Sequence, residues 1–288
     1  MKILLTGHKG QLGSALLPKL RAAGHRVRGI DLPEHNITDR ADVGDVCQAL
    51  EPDLILNAAA LTDVDGCARD PHLAYRVNGY GVQVLAQAAA EIDAEFMQIS
   101  TNEVFDGTAT TPYHEWARRN PINAYGVSKR AGEFYAQNLL TRFTIVRTAW
   151  LYAVGGNNFP HRILELADER DRLQVVTDEV SSPTYVSDLA DALIALIGTH
   201  AYGIYHLVNE GAASRFEFAQ ALLNASGRGD VPLEPITSDA FERASTPPPY
   251  APLANHAAAA LDIRLRPWRE AVAAFIDDAG YHRESQGA

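Results

Sequence analysis

An α/β fold built on a doubly wound parallel sheet, with a smaller α/β region interleaved towards the C-terminus, is what this chain predicts. Three observations carry it. Short apolar runs alternate with longer amphipathic stretches through the first 150 residues, glycines crowd the first junction, and the alternation loosens past residue 150 into glycine pairs and proline turns. Strands that alternate with helices lie parallel and are covered on both faces.

The elements follow in order. Lys2 to Thr6 is the first expected strand, an apolar run too short for a secretory leader and leading directly into glycine. Gln11 to Ala23 has helical apolar spacing, and Arg26 to Ile30 returns as a strand. The same reading gives a helix over 39–50, a strand over 53–57, one long helix over 71–92, a strand over 95–100, a helix over 122–140 and a strand over 143–147. Further on, residues 198–205 read as a turn entering a strand and 215–225 as a helix. The prolines of 246–252 forbid helix, and Pro267 opens a closing helix that runs to Asp278. Ala257 to Ala260 reads as plain helix. The expected division is a dinucleotide-binding domain over 1–150, with 173–200 returning to it, and a substrate-binding region over 151–172 and 201–288.

With 288 residues, 47% of them hydrophobic, the chain can bury a sizeable core. Its formal charge of −11, with no basic run, argues against a nucleic acid polymer as partner. Cys47 and Cys67 cannot build a disulfide framework and belong to no CxxC, so a reducing cytoplasm is the expected location. Charges interrupt every apolar run before the ~20 residues that span a bilayer, so no membrane association is expected. No HExxH, Cys/His cluster or EF-hand spacing appears, and no catalytic metal is expected. A homodimer is left open.

The first junction reads TGHKGQLG, with Gly7, Gly10 and Gly13 between strand and helix. Glycines there allow a tight turn and close backbone approach, and the helix N-terminus offers unpaired N–H groups to a pyrophosphate, the arrangement of a Rossmann-type sheet. Asp31 stands about twenty residues on, where a carboxylate accepts from an adenosine ribose; this favours NADH, while Lys9, Arg26 and Arg28 could serve the 2′-phosphate of NADPH. The sequence does not choose between the two. Asn57-Ala-Ala-Ala60 ends the third strand with small side chains that suit either a ligand or tight packing.

Tyr125 and Lys129 form a Tyr-x-x-x-Lys unit in a chain with only four lysines. Random placement gives roughly 0.15 such pairs, so a specific role outweighs chance. Four residues apart on a helix, phenol and ammonium share one face. Ser100 and Thr101 place hydroxyls at the end of the fourth strand, on the same sheet edge as the glycine turn. Trp150 offers an apolar face and one N–H donor to a ligand, and serves equally as a packing aromatic. Asn157 and Asn158 fit a turn or a ligand contact.

TGHKGQLG, Asn57 to Ala60, Thr101 and Tyr125-Gly-Val-Ser-Lys129 together resemble an extended short-chain dehydrogenase/reductase. Further segments, PDLILNAAALTDVD, STNEVFDG, NPINAYGVSK, RTAWLY, GGNNF, SSPT, GIYHLVNEG and LRPWREAV, narrow the resemblance to the dTDP-4-dehydrorhamnose reductase family over nearly the whole chain. The resemblance implies reduction by NADPH or NADH of the C4 ketone of a nucleotide-linked 4-keto-6-deoxy sugar, in dTDP-rhamnose and polysaccharide biosynthesis. It implies Thr101, Tyr125 and Lys129 as catalytic residues, with Tyr125 the general acid, brought towards neutrality by Lys129. Its cofactor contacts fall on Gly7, Gly10, Gln11, Leu12, Gly13, Asp31, Asn36, Ile37, Ala60, Leu61 and Thr62, besides Tyr125 and Lys129. Its substrate contacts fall on Thr101, Asn102, Trp150 and Asn158. Some relatives carry Mg²⁺ at a subunit contact, and no motif here indicates it. The chain departs from the family pattern at Asn102-Glu103, and at Pro247 and Ala251, where an Arg and a Ser are usual. A nucleotide-sugar dehydratase or epimerase of the same superfamily, and a catalytically silent NAD(P)-binding regulatory subunit, are the rival readings.

Overall fold

The computed structural model describes residues 1–156 and 158–283. The first half runs β1 (Lys2–Thr6), α1 (Gln11–Ala22), β2 (Arg26–Ile30), α2 (Arg40–Leu50), β3 (Leu54–Asn57), α3 (Val64–Arg69), α4 (Pro71–Tyr75), α5 (Gly81–Glu91), β4 (Glu95–Thr101), α6 (Ala124–Leu139) and β5 (Phe143–Thr148). It continues through β6 (Leu151–Tyr152), α7 (Phe159–Glu169), β7 (Leu173–Val176), β8 (Val180–Ser181), β9 (Thr184–Tyr185), α8 (Val186–Thr199) and β10 (Gly203–His206). It closes with β11 (Ala213–Ser214), α9 (Arg215–Ala225), β12 (Leu233–Ile236), α10 (His256–Ala259) and α11 (Trp268–Ala279).

Six strands form one parallel sheet in the order β10-β5-β4-β3-β1-β2. Consecutive strand residues are apolar because both faces are covered. Ile3 and Leu5 point into one layer with Leu16 and Leu20 of α1 and Leu189 and Leu193 of α8. Leu4 and Ile55 point the other way, into a layer with Val43 of α2, Leu85 of α5 and Ala136 of α6. Each fully buried Leu contributes roughly 1.5–3 kcal/mol. The chain reverses direction across the sheet between β1 and β3, so their carboxyl ends diverge and leave the crevice in which such sheets take ligands.

A second core lies beyond β5. Tyr152, Phe218, Leu222, Trp268 and Phe275 pack together from β6, α9 and α11. Ser214 and Glu217 close a capping box at the start of α9, and Asn158 caps α7 through the His161 amide.

Two features differ from the sequence reading. The single helix expected over 71–92 is α4 and α5 joined by a π-helical turn over Arg76–Tyr80. That turn rotates Asn78 inwards, where its Nδ2 donates to the Leu61 carbonyl and to Ser128 Oγ, both at 3.0 Å, and its Oδ1 accepts from the Leu61 amide at 2.8 Å. Wide turns of this kind recur where a helix must present one side chain to a site. The interleaving is also tighter than composition suggests. Of segment 173–200, α8 packs on the sheet, but β7 pairs with β12 in the second region, and β10, expected among the substrate elements, adds the sixth strand beside β5.

Candidate active site

The carboxyl ends of β1, β3, β4 and β5 open into a cavity of about 510 Å³. Gly7, Gly10, Gln11, Leu12 and Gly13 form its floor, Ala60 and Thr62 one side, Thr101 and Asn102 with Tyr125 and Lys129 another, and Trp150 and Asn158 the far wall. The structure thus brings together most of the residues the sequence singles out. Asn157 lies outside the described residues.

Backbone geometry explains the floor. Gly7 has φ of +70°, and a Cβ there would stand 2.6 Å from the Ala59 nitrogen; one on Gly13 would stand 2.1 Å from the Gly7 carbonyl oxygen. Neither position admits a side chain. A Cβ on Gly10 would meet only the Gly7 carbonyl, at 3.3 Å, so its other side is open to the cavity. α1 has no side-chain cap, which leaves its first amides free to bind an anion. The turn therefore fits the pyrophosphate of a dinucleotide.

Four expected cofactor residues do not line the cavity. Asp31 accepts from the Lys9 and Leu32 amides, each at 2.9 Å, and so holds the glycine turn against the end of β2. Lys9 Nζ pairs with Glu34 at 2.7 Å. Asn36 turns its carbonyl to Thr38, and Ile37 is a core residue between α2 and α5. Leu61 is fixed through its backbone by Asn78, a clamp the sequence reading missed because a lone Asn in an apolar helical stretch carries no spacing signal.

Tyr125 and Lys129 share the inner face of α6, whose first turn is capped by Asn123 accepting from the Gly126 amide at 2.8 Å. Lys129 is 4% exposed and its Nζ donates to the Ile99 carbonyl at 2.7 Å. Burial lowers its pKa to about 8 against the pull of Glu133. Burial pushes the Tyr125 phenol well above its ordinary value, the charge of Glu103 adds to this, and a hydrogen bond from Thr101 draws it back. The Lys129 ammonium faces the Ile99 carbonyl, and desolvation dominates at the phenol, which stays protonated. A protonated phenol is the form from which a general acid starts.

One turn further along α6, Glu133 is fully buried and holds four bonds. Oε1 accepts from Ser100 Oγ at 2.6 Å and Arg147 Nε at 2.8 Å; Oε2 accepts from Arg147 Nη2 at 2.9 Å and Arg119 Nη1 at 2.8 Å. Burial raises the Glu133 pKa, but Arg147, Ser100 and Arg119 outweigh it and keep the carboxylate charged. The helix carrying Tyr125 and Lys129 is thus bolted to β4, beside Thr101, and to β5.

The far wall is built differently. Trp150 has φ of +42°, a left-handed conformation that costs a bulky residue about 1–3 kcal/mol and is retained mainly at functional sites. The Arg215 guanidinium lies 3.6 Å from the Trp150 ring centre and 4.9 Å from that of Phe159. Burial lowers its pKa to about 10. Glu179 is shared between Arg215 at 3.6 Å and Arg243 at 2.7 Å. Neither arginine was found from the sequence, since each stands alone without a motif. Asn102, expected to touch substrate, has its amide engaged: Nδ2 donates to Ser181 Oγ and to the Ala251 carbonyl, both at 3.1 Å. Two departures from the family pattern, at 102 and 251, therefore meet. Asn158 donates to the Ala153 carbonyl at 2.9 Å while capping α7.

The chain matches the RmlD substrate binding domain family over residues 1–280. It belongs to the dTDP-4-dehydrorhamnose reductase family. The spore coat polysaccharide biosynthesis protein SpsK of Bacillus subtilis is 38% identical over 96% of this chain and 97% of its own length. The dTDP-4-dehydrorhamnose reductase of Streptomyces griseus is 38% identical over 93% of this chain and 91% of its own. Among solved structures, the Clostridium acetobutylicum reductase superposes with a TM-score of 0.93 at 37% identity, covering 97% of this chain and all of that one. The Bacillus anthracis reductase, solved in complex with NADP, also gives 0.93, at 34% identity, covering 96% of this chain and 99% of that one. Membership makes this chain an NAD(P)H-dependent oxidoreductase of the dTDP-4-dehydrorhamnose reductase type. Among the described residues no group of three or more His, Cys, Asp or Glu side chains is placed to hold a metal, and no helix is long and apolar enough to cross a membrane.

Proposed function

We propose that this chain reduces the C4 ketone of a dTDP-linked 4-keto-6-deoxyhexose, converting dTDP-4-dehydro-L-rhamnose to dTDP-L-rhamnose, with Tyr125 as general acid. The observation that carries the reading is the placement of Thr101, Tyr125 and Lys129 in one cavity with the glycine turn of β1. A dinucleotide whose pyrophosphate is held at that turn would supply the hydride to C4 from its reduced nicotinamide. The Tyr125 phenol gives its proton to the ketone oxygen, and the Thr101 hydroxyl orients that oxygen. The Lys129 ammonium stabilises the phenolate left behind and holds the nicotinamide ribose. Burial keeps the phenol protonated until transfer, so this stabilisation acts as the phenolate forms. In this low-dielectric cleft a nearby charge is strong enough to supply it. Donation by an engaged Asn102 amide in place of an acid weighs against a dehydratase, and an intact Thr101, Tyr125 and Lys129 against a silent regulatory subunit.

Following absorbance of NADH and NADPH separately with dTDP-4-dehydro-L-rhamnose, and with UDP- and GDP-linked 4-keto sugars, tests the reading. Stoichiometric oxidation with the dTDP sugar is expected. No oxidation with any of them sinks it.

A further inference from the structure

Glu103 follows Thr101 and Asn102 at the end of β4 and lines two cavities at once. One is the cleft that holds Tyr125 and Lys129; the other, of about 230 Å³, adjoins it beneath Trp150 and Arg215. The side chain is anchored rather than loose. Its Oε2 accepts from Asn123 Nδ2 at 2.7 Å, and Asn123 is itself the cap of α6 and donates to the Thr246 carbonyl at 3.1 Å. The Glu103 amide donates to Thr101 Oγ1 at 3.2 Å, which ties the carboxyl to the hydroxyl expected at the ketone. Oε1 has no hydrogen-bond partner among the described residues.

A structural role would give this carboxyl a cation, and the nearby cations are engaged elsewhere. Arg215 stacks on Trp150 and pairs with Glu179, and Arg243 pairs with the same Glu179. Burial accordingly pushes the Glu103 carboxyl up, with Asn123 and Arg215 opposing and Glu179 reinforcing. An unpaired carboxyl in a desolvated cleft destabilises the fold unless a ligand completes its bonding. It stands beside the Tyr125–Thr101 pair, where the atoms next to a bound ketone would lie.

We propose that Glu103 is a specificity-determining residue whose free carboxyl oxygen holds the hexose hydroxyl adjacent to the ketone carbon, the 3-hydroxyl, and so orients the sugar for reduction. The inference rests on the nucleotide-sugar reading above. Asn123 fixes one carboxyl oxygen, leaving the other free to accept from the sugar. A site built to bond a hydroxyl rejects the analogue that lacks it, because its own polar group is then left unpaired.

Stable ligands separate the two claims. Titration calorimetry of the full-length protein with dTDP-6-deoxyhexose and with its 3-deoxy counterpart should show at least about a ten-fold preference for the 3-hydroxyl in wild type. In Glu103→Ala the preference should fall to about one, and in Glu103→Gln to an intermediate value, with the dissociation constants of free dTDP and NADPH unchanged in both. A preference that survives in Glu103→Ala, or is absent from wild type, overturns the proposal, as does failure of the 3-hydroxyl sugar nucleotide to bind. Absence of NAD(P)H oxidation by wild type sinks the reductase reading alone, because the binding ratio needs no turnover.

Discussion

On the sheet wall of the cleft, the reacting groups are held by buried polar side chains whose bonds are nearly all made. Glu133 carries four, Asn78 three, and Lys129 is docked on a strand carbonyl. On the opposite wall, Trp150 sits in a strained conformation under a stacked guanidinium, and two arginines share one carboxylate. The difference separates two tasks. On the proposed reading, the groups bolted to the sheet are those of proton transfer, which tolerates little displacement. The same reading gives sugar recognition to side chains on loops and element ends, where sequence can change without moving the proposed acid.

The largest break expected is at the acid itself. Tyr125→Phe should lower kcat by roughly 10²–10⁴-fold, with NADPH affinity measured by fluorescence titration nearly unchanged; wild-type rates in that variant would refute its role. Next comes the bolt. Glu133→Gln leaves Arg147 buried with an uncompensated charge and should cost about 3–5 kcal/mol in urea unfolding. It should also move the Lys129 titration, at about 8 in the intact protein, to lower pH, since Glu133 is what raises it. A loss below about 1 kcal/mol would show that the network is not the anchor of that wall.

A pH-dependent effect comes from His206, beneath the same network. Its Nδ1 faces the Ala254 carbonyl at 3.2 Å and its Nε2 faces Arg147 Nη1 at 3.3 Å, so the ring is neutral, donating through Nδ1 and accepting through Nε2. Burial, followed by the Arg147 charge, lowers its pKa to about 3. Below pH 6.5 the unfolded chain protonates this histidine and the folded one does not. Its contribution is therefore complete above pH 6.5 and falls by about 1.4 kcal/mol per pH unit towards pH 3. His206→Gln should flatten that part of the stability profile. Least of all should move with Arg215→Ala on the recognition wall, where losing the stacked cation costs about 0.5–2 kcal/mol. This should appear as a raised KM for the sugar nucleotide with kcat nearly retained.

Much of the sheet wall was legible because its signals are local. The glycine turn, the Tyr-x-x-x-Lys spacing and the hydroxyls ending β4 depend on neighbours in sequence, and backbone periodicity places them on one edge. Glu133, Arg147, Asn78 and Arg215 were not found, since each acts through a partner distant in the chain: Arg147 reaches Glu133 and His206, and Asn78 reaches Leu61 and Ser128. The break in helix 71–92 was hidden for a related reason. A π turn adds one residue to a helical repeat without changing its composition. Asp31 illustrates the converse, as its position after β2 was read correctly while its bonds go to the protein's own backbone.

The sixth strand, Gly203–His206, bears on how the protein is made. Its parallel partner β5 emerges from the ribosome first and waits as an open edge until β10 arrives, with β6 to β9 and only the β6–β9 pairing complete in between. Non-local parallel pairings of this kind fold slowly, and an unpaired apolar edge invites association with other chains. Val146, fully buried in the finished sheet, lies on that waiting edge opposite Tyr205. A nascent chain stalled before residue 203 should accordingly be chaperone-bound and aggregation-prone, whereas one that has released residues 203–206 covers the β5 edge with its own strand.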